Sequence, residues 1–120
     1  MKTRKEIKDE YKQMKFRIGV FQIRNTVNNK IFVEGSTDLV AIWNRIKFQL
    51  NAGLHPNAEL QKEWKEFGAE NFVYEILGEI KQDDTESVDY RREVKQLEEM
   101  YLEKMQPYGN KGYNVIRKTK

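Results

Sequence analysis

At 120 residues the chain suits one domain with one core. It has no cysteine and one histidine, which excludes disulfides, thiolate metal sites and histidine-rich metal centres. Charged residues make up 34% and net charge is +3, but 12% aromatic residues are too many for a disordered chain. No apolar run approaches a membrane span and the N-terminus lacks the apolar segment of a secretory signal, so the expectation is a cytoplasmic protein without a membrane partner.

The first seventeen residues set Lys2, Arg4, Lys5, Lys8, Lys12, Lys15 and Arg17 against Glu6, Asp9 and Glu10. Ile7, Tyr11 and Met14 recur at helical spacing there, which predicts an amphipathic helix over 3–15 with a basic outer face. Two short apolar runs follow, GVFQIR and KIFVEG, around the turn-like NTVNN. They predict a hairpin with strands at 18–24 and 30–35, in which Ile18, Val20 and Gln22 share one face and Gly19, Phe21 and Ile23 the other. Ser36, Thr37 and Asp38 are cap residues, and Leu39, Ile42, Trp43, Ile46 and Leu50 form a wide apolar stripe ended by Gly53. Asn57 caps a second helix, with Leu60, Trp64 and Phe67 as its stripe and Gly68 as its stop. FVYEIL (72–77) predicts a third strand. A last helix over roughly 85–105 carries Tyr90, Val94, Leu97, Tyr101 and Met105, and Pro107, Gly109 and Gly112 break it. YNVI (113–116) reads as a loop or a short strand, and residues 117–120 form a basic tail. The order implies an α+β fold, a small, mainly antiparallel three-stranded sheet flanked by helices over 18–116, with the N-terminal helix added at 1–17.

No glycine-rich phosphate loop and no Ser–His–Asp pattern is present. Glu98 lies at the edge of the last helix's apolar stripe, where a carboxylate needs a cation, a metal or hydrogen-bond donors. The basic ends, with Lys12, Lys15, Arg17, Arg24, Arg45 and Lys47, are candidate contacts for a phosphate backbone, or solvated surface charge.

From Ile18 to Ile116 the chain resembles the GIY-YIG endonuclease superfamily. Gly19-Val20-Phe21 stands where the first motif belongs and Phe32-Val33-Glu34 where the second does. QIRNTVNNK lies between them. Trp43, Leu50, Gly53, His55, Leu60-Gln61, Phe67-Gly68, a Glu98-x-x-Tyr101-Leu102 segment and Gly112-Tyr113-Asn114 continue the match in order. The resemblance implies a DNA-cutting domain that uses one divalent metal, magnesium or manganese, on a helical glutamate. It puts that metal ligand on Glu98, the late asparagine of the site on Asn114 and an auxiliary histidine on His55. It also implies losses. The two motif tyrosines fall on Phe21 and Phe32, the second motif's glycine on Glu34, the helix arginine on Ile42 with Arg45 one turn later, and a further helix histidine on Ile46.

A phenyl ring neither takes a proton nor orients water, and losing a positioned acid–base group costs roughly 10²–10⁴ in rate. The resulting expectation is a nucleic-acid-binding domain, for DNA before RNA, in which phosphodiester cleavage is lost or weak. Two alternatives stay open: an active metal-dependent endonuclease rearranged around Glu98, Arg45 and His55, and a protein-interaction domain, which the near-neutral core favours. The oligomeric state is not encoded legibly.

Overall fold

The structure is a computed structural model, and it describes residues 16–82 and 89–116. The basic helix expected over 3–15, with Lys12 and Lys15, and the tail at 117–120 lie outside the described residues.

Strand β1 (Gly19–Asn25) and strand β2 (Ile31–Ser36) form the hairpin. The turn between them is built by asparagines. Asn25 Oδ1 accepts from the Val27 N–H at 2.9 Å and Asn28 Oδ1 from the Lys30 N–H at 3.0 Å, while Asn29 takes a left-handed φ of 64°. Asparagine side chains substitute for a backbone turn partner and tolerate that region, so this segment reverses without glycine. Helix α1 (Leu39–Ala52) starts on Asp38, whose carboxylate accepts from the Ala41 N–H, and ends on Gly53 at φ 76°. Helix α2 (Ala58–Phe67) starts on Asn57 and ends on Gly68. Strand β3 (Phe72–Glu79) follows, then helix α3 (Arg91–Met105).

Helix α3 begins at Arg91; of the earlier start expected near 85, residues 85–88 lie outside the described residues, and Asp89 and Tyr90 are not part of the helix. Asp89 and Tyr90 precede it, and Asp89 Oδ1 accepts from the Arg91 N–H at 3.0 Å, which satisfies one of the donors a helix start leaves open. The segment 113–116 is not a strand. Instead the Tyr113 N–H donates to the Ile31 carbonyl at 2.9 Å, beside a single parallel bridge from Ile31 to Gly112.

The sheet order is β2-β1-β3, antiparallel throughout. Both faces of the central strand are covered. Phe21 and Ile23 pack with Leu39, Ile46 and Leu50 of α1 and Leu60 and Trp64 of α2. Val20 on the other face packs with Ile31 and Val33, against Leu97, Tyr101, Leu102 and Met105 of α3. A three-layer α/sheet/α arrangement results, with α1 and α2 on one side and α3 on the other. The aromatic rings of Trp43 and Tyr74 stack at 4.9 Å on the first side. None of the described helices is long and apolar enough to cross a membrane.

Candidate active site

The outward edge of β2 organises the site. An edge strand presents unpaired N–H and C=O groups, and here side chains and the C-terminal segment satisfy them. The Ile31 carbonyl takes the Tyr113 N–H. Val33 donates its N–H to Asn114 Oδ1 at 2.8 Å and accepts from Asn114 Nδ2 at 2.7 Å. The Gly35 N–H donates to Glu98 Oε2 at 2.7 Å. The partner that Glu98 requires at the edge of its apolar stripe is therefore a backbone N–H of β2. Helix α3 must approach Gly35 closely for this, and a Cβ there would sit 2.6 Å from the Val94 side chain and 3.2 Å from Glu98 Oε2.

Beside this edge lies a groove of about 710 Å³, lined among others by Phe32, Glu34, Asn57, Lys95, Glu98, Glu99, Glu103 and Asn114. Among the described residues its lining includes the carboxylates of Glu34, Glu98, Glu99 and Glu103 and the cation Lys95. A second, smaller cleft of about 200 Å³ adjoins it through Phe32, Glu34, Pro56 and Asn57, and is completed by Ile42, Arg45, Ile46, Gln49 and His55. Glu98, Asn114 and Phe32 thus meet in one groove, and Phe32, Ile42, Arg45 and His55 in its neighbour. Phe21 enters neither. It is fully buried on the α1 side of the sheet, its ring 5.1 Å from that of Tyr74 and its backbone paired with Glu34.

His55 is half-buried, its ring 5.8 Å from that of Phe32 and nearly perpendicular to it. Its Nδ1 accepts from the Asn57 N–H at 3.0 Å. Burial lowers its pKa below the ordinary imidazole value, so the ring is neutral at pH 7 and carries its proton on Nε2. It lines the smaller cleft. Of the other candidate cations, Arg17 pairs with Glu79, Arg24 pairs with Glu75 at 2.8 Å, and Lys47 lies 5.2 Å over the Trp43 ring.

The sequence reading missed Glu63. This residue of α2 is 9% exposed and anchors a polar cluster behind the groove. Its Oε1 accepts from Tyr113 OH at 3.0 Å and from Asn28 Nδ2 at 2.6 Å, and its Oε2 from Lys30 Nζ at 3.0 Å. Burial alone would raise its pKa, but the hydrogen bonds from Lys30, Asn28 and Tyr113 outweigh it and hold the carboxyl below its usual range. The signal was available, because Glu63 lies three residues after Leu60 and next to Trp64, the same stripe-edge position that drew attention to Glu98. The acidic stripe of Glu99 and Glu103 was legible too, at i, i+4 spacing on α3. Asn57 joins the parts. It caps α2 through Leu60 N–H, donates from Nδ2 to the Tyr113 carbonyl at 2.6 Å, and fixes His55 through its own N–H.

The fold has counterparts. The catalytic domain of homing endonuclease I-TevI superposes with a TM-score of 0.69 and 27% identity, covering 83% of this chain and 99% of that domain. A glutamate-to-alanine variant of the intron endonuclease I-TevI catalytic domain gives 0.70 and 26%, covering 87% and 98%. Intron-associated endonuclease 1 of Enterobacteria phage T4 is 37% identical over 62 residues. The chain belongs to the GIY-YIG superfamily. No family model matches this GIY-YIG chain. The match to the phage protein covers 52% of the chain and 25% of the relative, so this GIY-YIG domain corresponds to about a quarter of that protein's length.

Proposed function

We propose that this GIY-YIG domain binds nucleic acid, DNA before RNA, and that phosphodiester cleavage is lost or greatly reduced. The observation that carries the reading is the aromatic core position of β1. Phe21 is fully buried, has no hydroxyl and lines neither groove nor cleft, so no acid–base group reaches the site from the first motif. Phe32 and Ile42 add two more inert side chains where the family resemblance implies a hydroxyl and a guanidinium.

A divalent ion, magnesium or manganese, fits only modestly. Among the described residues no three metal-ligating groups converge. Glu98 would hold the ion through Oε1, since Oε2 is engaged by the Gly35 N–H. One carboxylate with waters and substrate phosphates is a common magnesium arrangement, and a weak one. When bound, such an ion supplies a Lewis acid and an activated water.

The test is supercoiled-plasmid nicking with magnesium or manganese, beside a gel-shift assay at several salt concentrations. Expected is a salt-dependent shift without nicking. Nicking that disappears in Glu98→Gln would overturn the reading. Glutamine is the better control than alanine, because its carbonyl can still accept from the Gly35 N–H while the charge that would hold a metal is gone.

One observation favours a second reading, an active endonuclease with a rearranged site. Arg45 and His55 line the same cleft as Ile42, which supplies a guanidinium and an imidazole beside the altered arginine position. Against it, the Nδ1 of His55 is already engaged by the Asn57 N–H.

A further inference from the structure

We infer that Tyr113 is a positioning residue: held from behind by Glu63, it sets the places of Asn114 in the groove and His55 in the smaller cleft. That role goes beyond nucleic-acid binding, since it concerns how the site is held rather than what it takes.

Asn114 needs an anchor. The segment 113–116 is not a strand, and beyond Asn114 the residues Val115 and Ile116 are 78% and 67% exposed. The hold on Asn114 therefore comes from its own N–H, which donates to the Pro107 carbonyl at 3.0 Å, and from the residue before it. Tyr113 is 2% exposed and engaged along its whole length. Its N–H donates to the Ile31 carbonyl at 2.9 Å, and its carbonyl accepts from Asn57 Nδ2 at 2.6 Å. Its hydroxyl donates to Glu63 Oε1 at 3.0 Å and accepts from Asn25 Nδ2 at 3.2 Å. Lys30 Nζ sits over the ring, 4.9 Å from its centroid.

The hydroxyl distinguishes a hold from mere packing. A phenyl ring alone would fill the space, and a buried O–H stabilises only where its partners are fixed. Here the partner is a buried carboxylate paired with Lys30 at 3.0 Å, so ring, carboxylate and ammonium fix one another. Glu63 lies in α2 and Asn57 is the N-cap of the same helix. Helix α2 thus grips Tyr113 at the carbonyl and at the far end of the ring, which restrains backbone and side chain together. The same grip reaches the smaller cleft. The Asn57 side chain is fixed between the Leu60 N–H and the Tyr113 carbonyl, and its backbone N–H donates to His55 Nδ1 at 3.0 Å.

The edge of β2 supplies an internal control. The Val33 N–H is bonded to Asn114 Oδ1 and the Gly35 N–H, two residues along, to Glu98 Oε2. The two donors therefore report on different anchors, the Tyr113 segment and α3.

The experiment is native-state hydrogen exchange followed by NMR on the full chain. Tyr113→Phe should speed exchange of the Val33 N–H roughly 5- to 30-fold and leave the Gly35 N–H near its wild-type rate. Glu63→Gln keeps an oxygen for the Tyr113 hydroxyl, so it should preserve the wild-type ratio of the two rates while lowering overall stability. His55 is the chain's only histidine, and its ring nitrogen signals are therefore unambiguous. Tyr113→Phe should shift the Nδ1 signal as the bond from Asn57 loosens. A readout on the unaltered protein accompanies the variants. The N–H groups of Val33, Tyr113 and Asn114 should exchange through one shared opening with a common denaturant dependence, and that of Gly35 through another. Equal acceleration of Val33 and Gly35 in Tyr113→Phe, an unmoved His55 signal, or a Val33 N–H that opens with Gly35 instead of Tyr113 would overturn the positioning role. None of these readouts uses nucleic acid, so such a failure leaves nucleic-acid binding untouched, and a failure to bind DNA leaves the positioning role standing.

Discussion

Replacing Asn114 separates a structural role from a catalytic one. Its side-chain amide imitates a neighbouring strand, taking the Val33 N–H at 2.8 Å and donating to the Val33 carbonyl at 2.7 Å. Asn114→Ala removes both bonds, each worth about 0.5–1.5 kcal/mol net, so a loss of about 1–3 kcal/mol is expected. Asn114→Asp is more informative. The carboxylate still accepts from the Val33 N–H, but its second oxygen faces the Val33 carbonyl, so one bond is lost and two acceptors are opposed. The cost at pH 7.5 should be about 2–4 kcal/mol. Protonation restores a donor, so the introduced carboxyl has a raised pKa in the folded state. A native state that binds a proton more tightly than the unfolded chain gains stability as pH falls. The deficit relative to wild type should therefore shrink between pH 7.5 and pH 4. Urea unfolding at both pH values measures this. Wild-type stability in Asn114→Ala, or a deficit in Asn114→Asp that does not change with pH, would refute the edge-capping account.

Two further outcomes follow from the buried groups. Phe21→Tyr should not restore nicking, because Phe32 and Ile42 remain, and it should cost about 1–3 kcal/mol for a hydroxyl placed in a fully buried ring site, or roughly 4 °C of Tm per kcal/mol; unchanged stability together with nicking would show that the hydroxyl reaches the groove. Glu63 titrates lower folded than unfolded, so its stabilisation is complete above its ordinary value of 4.5 and is lost as pH falls through the depressed folded value. Glu63→Gln should lower stability at pH 7 by roughly 2–3 kcal/mol and flatten acid unfolding, and an unchanged acid limb in a pH series of urea melts would count against that.

The elements were legible wherever local chemistry decides them. Asp38 and Asn57 cap the helices they were expected to cap, Gly53 and Gly68 end them, and the alternation in β1 assigned Phe21 and Ile23 to one face and Val20 to the other. The start of α3 was not legible, because Asp89 satisfies an end that periodicity does not register. The site was legible as a set of residues but not as a charge distribution. Counting lysines and arginines along the chain says nothing of their partners, and Arg17 and Arg24 are each joined to a glutamate of β3 dozens of residues away in sequence. Among the described residues, the carboxylates of the groove come from two elements, β2 and α3, brought together by the Gly35–Glu98 contact.

That contact changes what the retained family positions signify. With His55, Glu98 and Asn114 are the positions at which the resemblance to a metal-dependent nuclease implies a retained residue. Both are also the groups that close the edge of β2, an edge whose Val33 is 2% exposed and whose opening would leave backbone donors and acceptors unpaired. A residue with such a duty persists whether or not the reaction does, because its loss is paid in folding stability. Phe21, Phe32 and Ile42 have no comparable polar duty, since an aromatic or aliphatic side chain fills their space as well as a tyrosine or an arginine. Under the proposed loss of cleavage they are the positions that would be free to change. The surviving carboxylate and amide thus argue for the fold, and the three altered side chains bear on the activity.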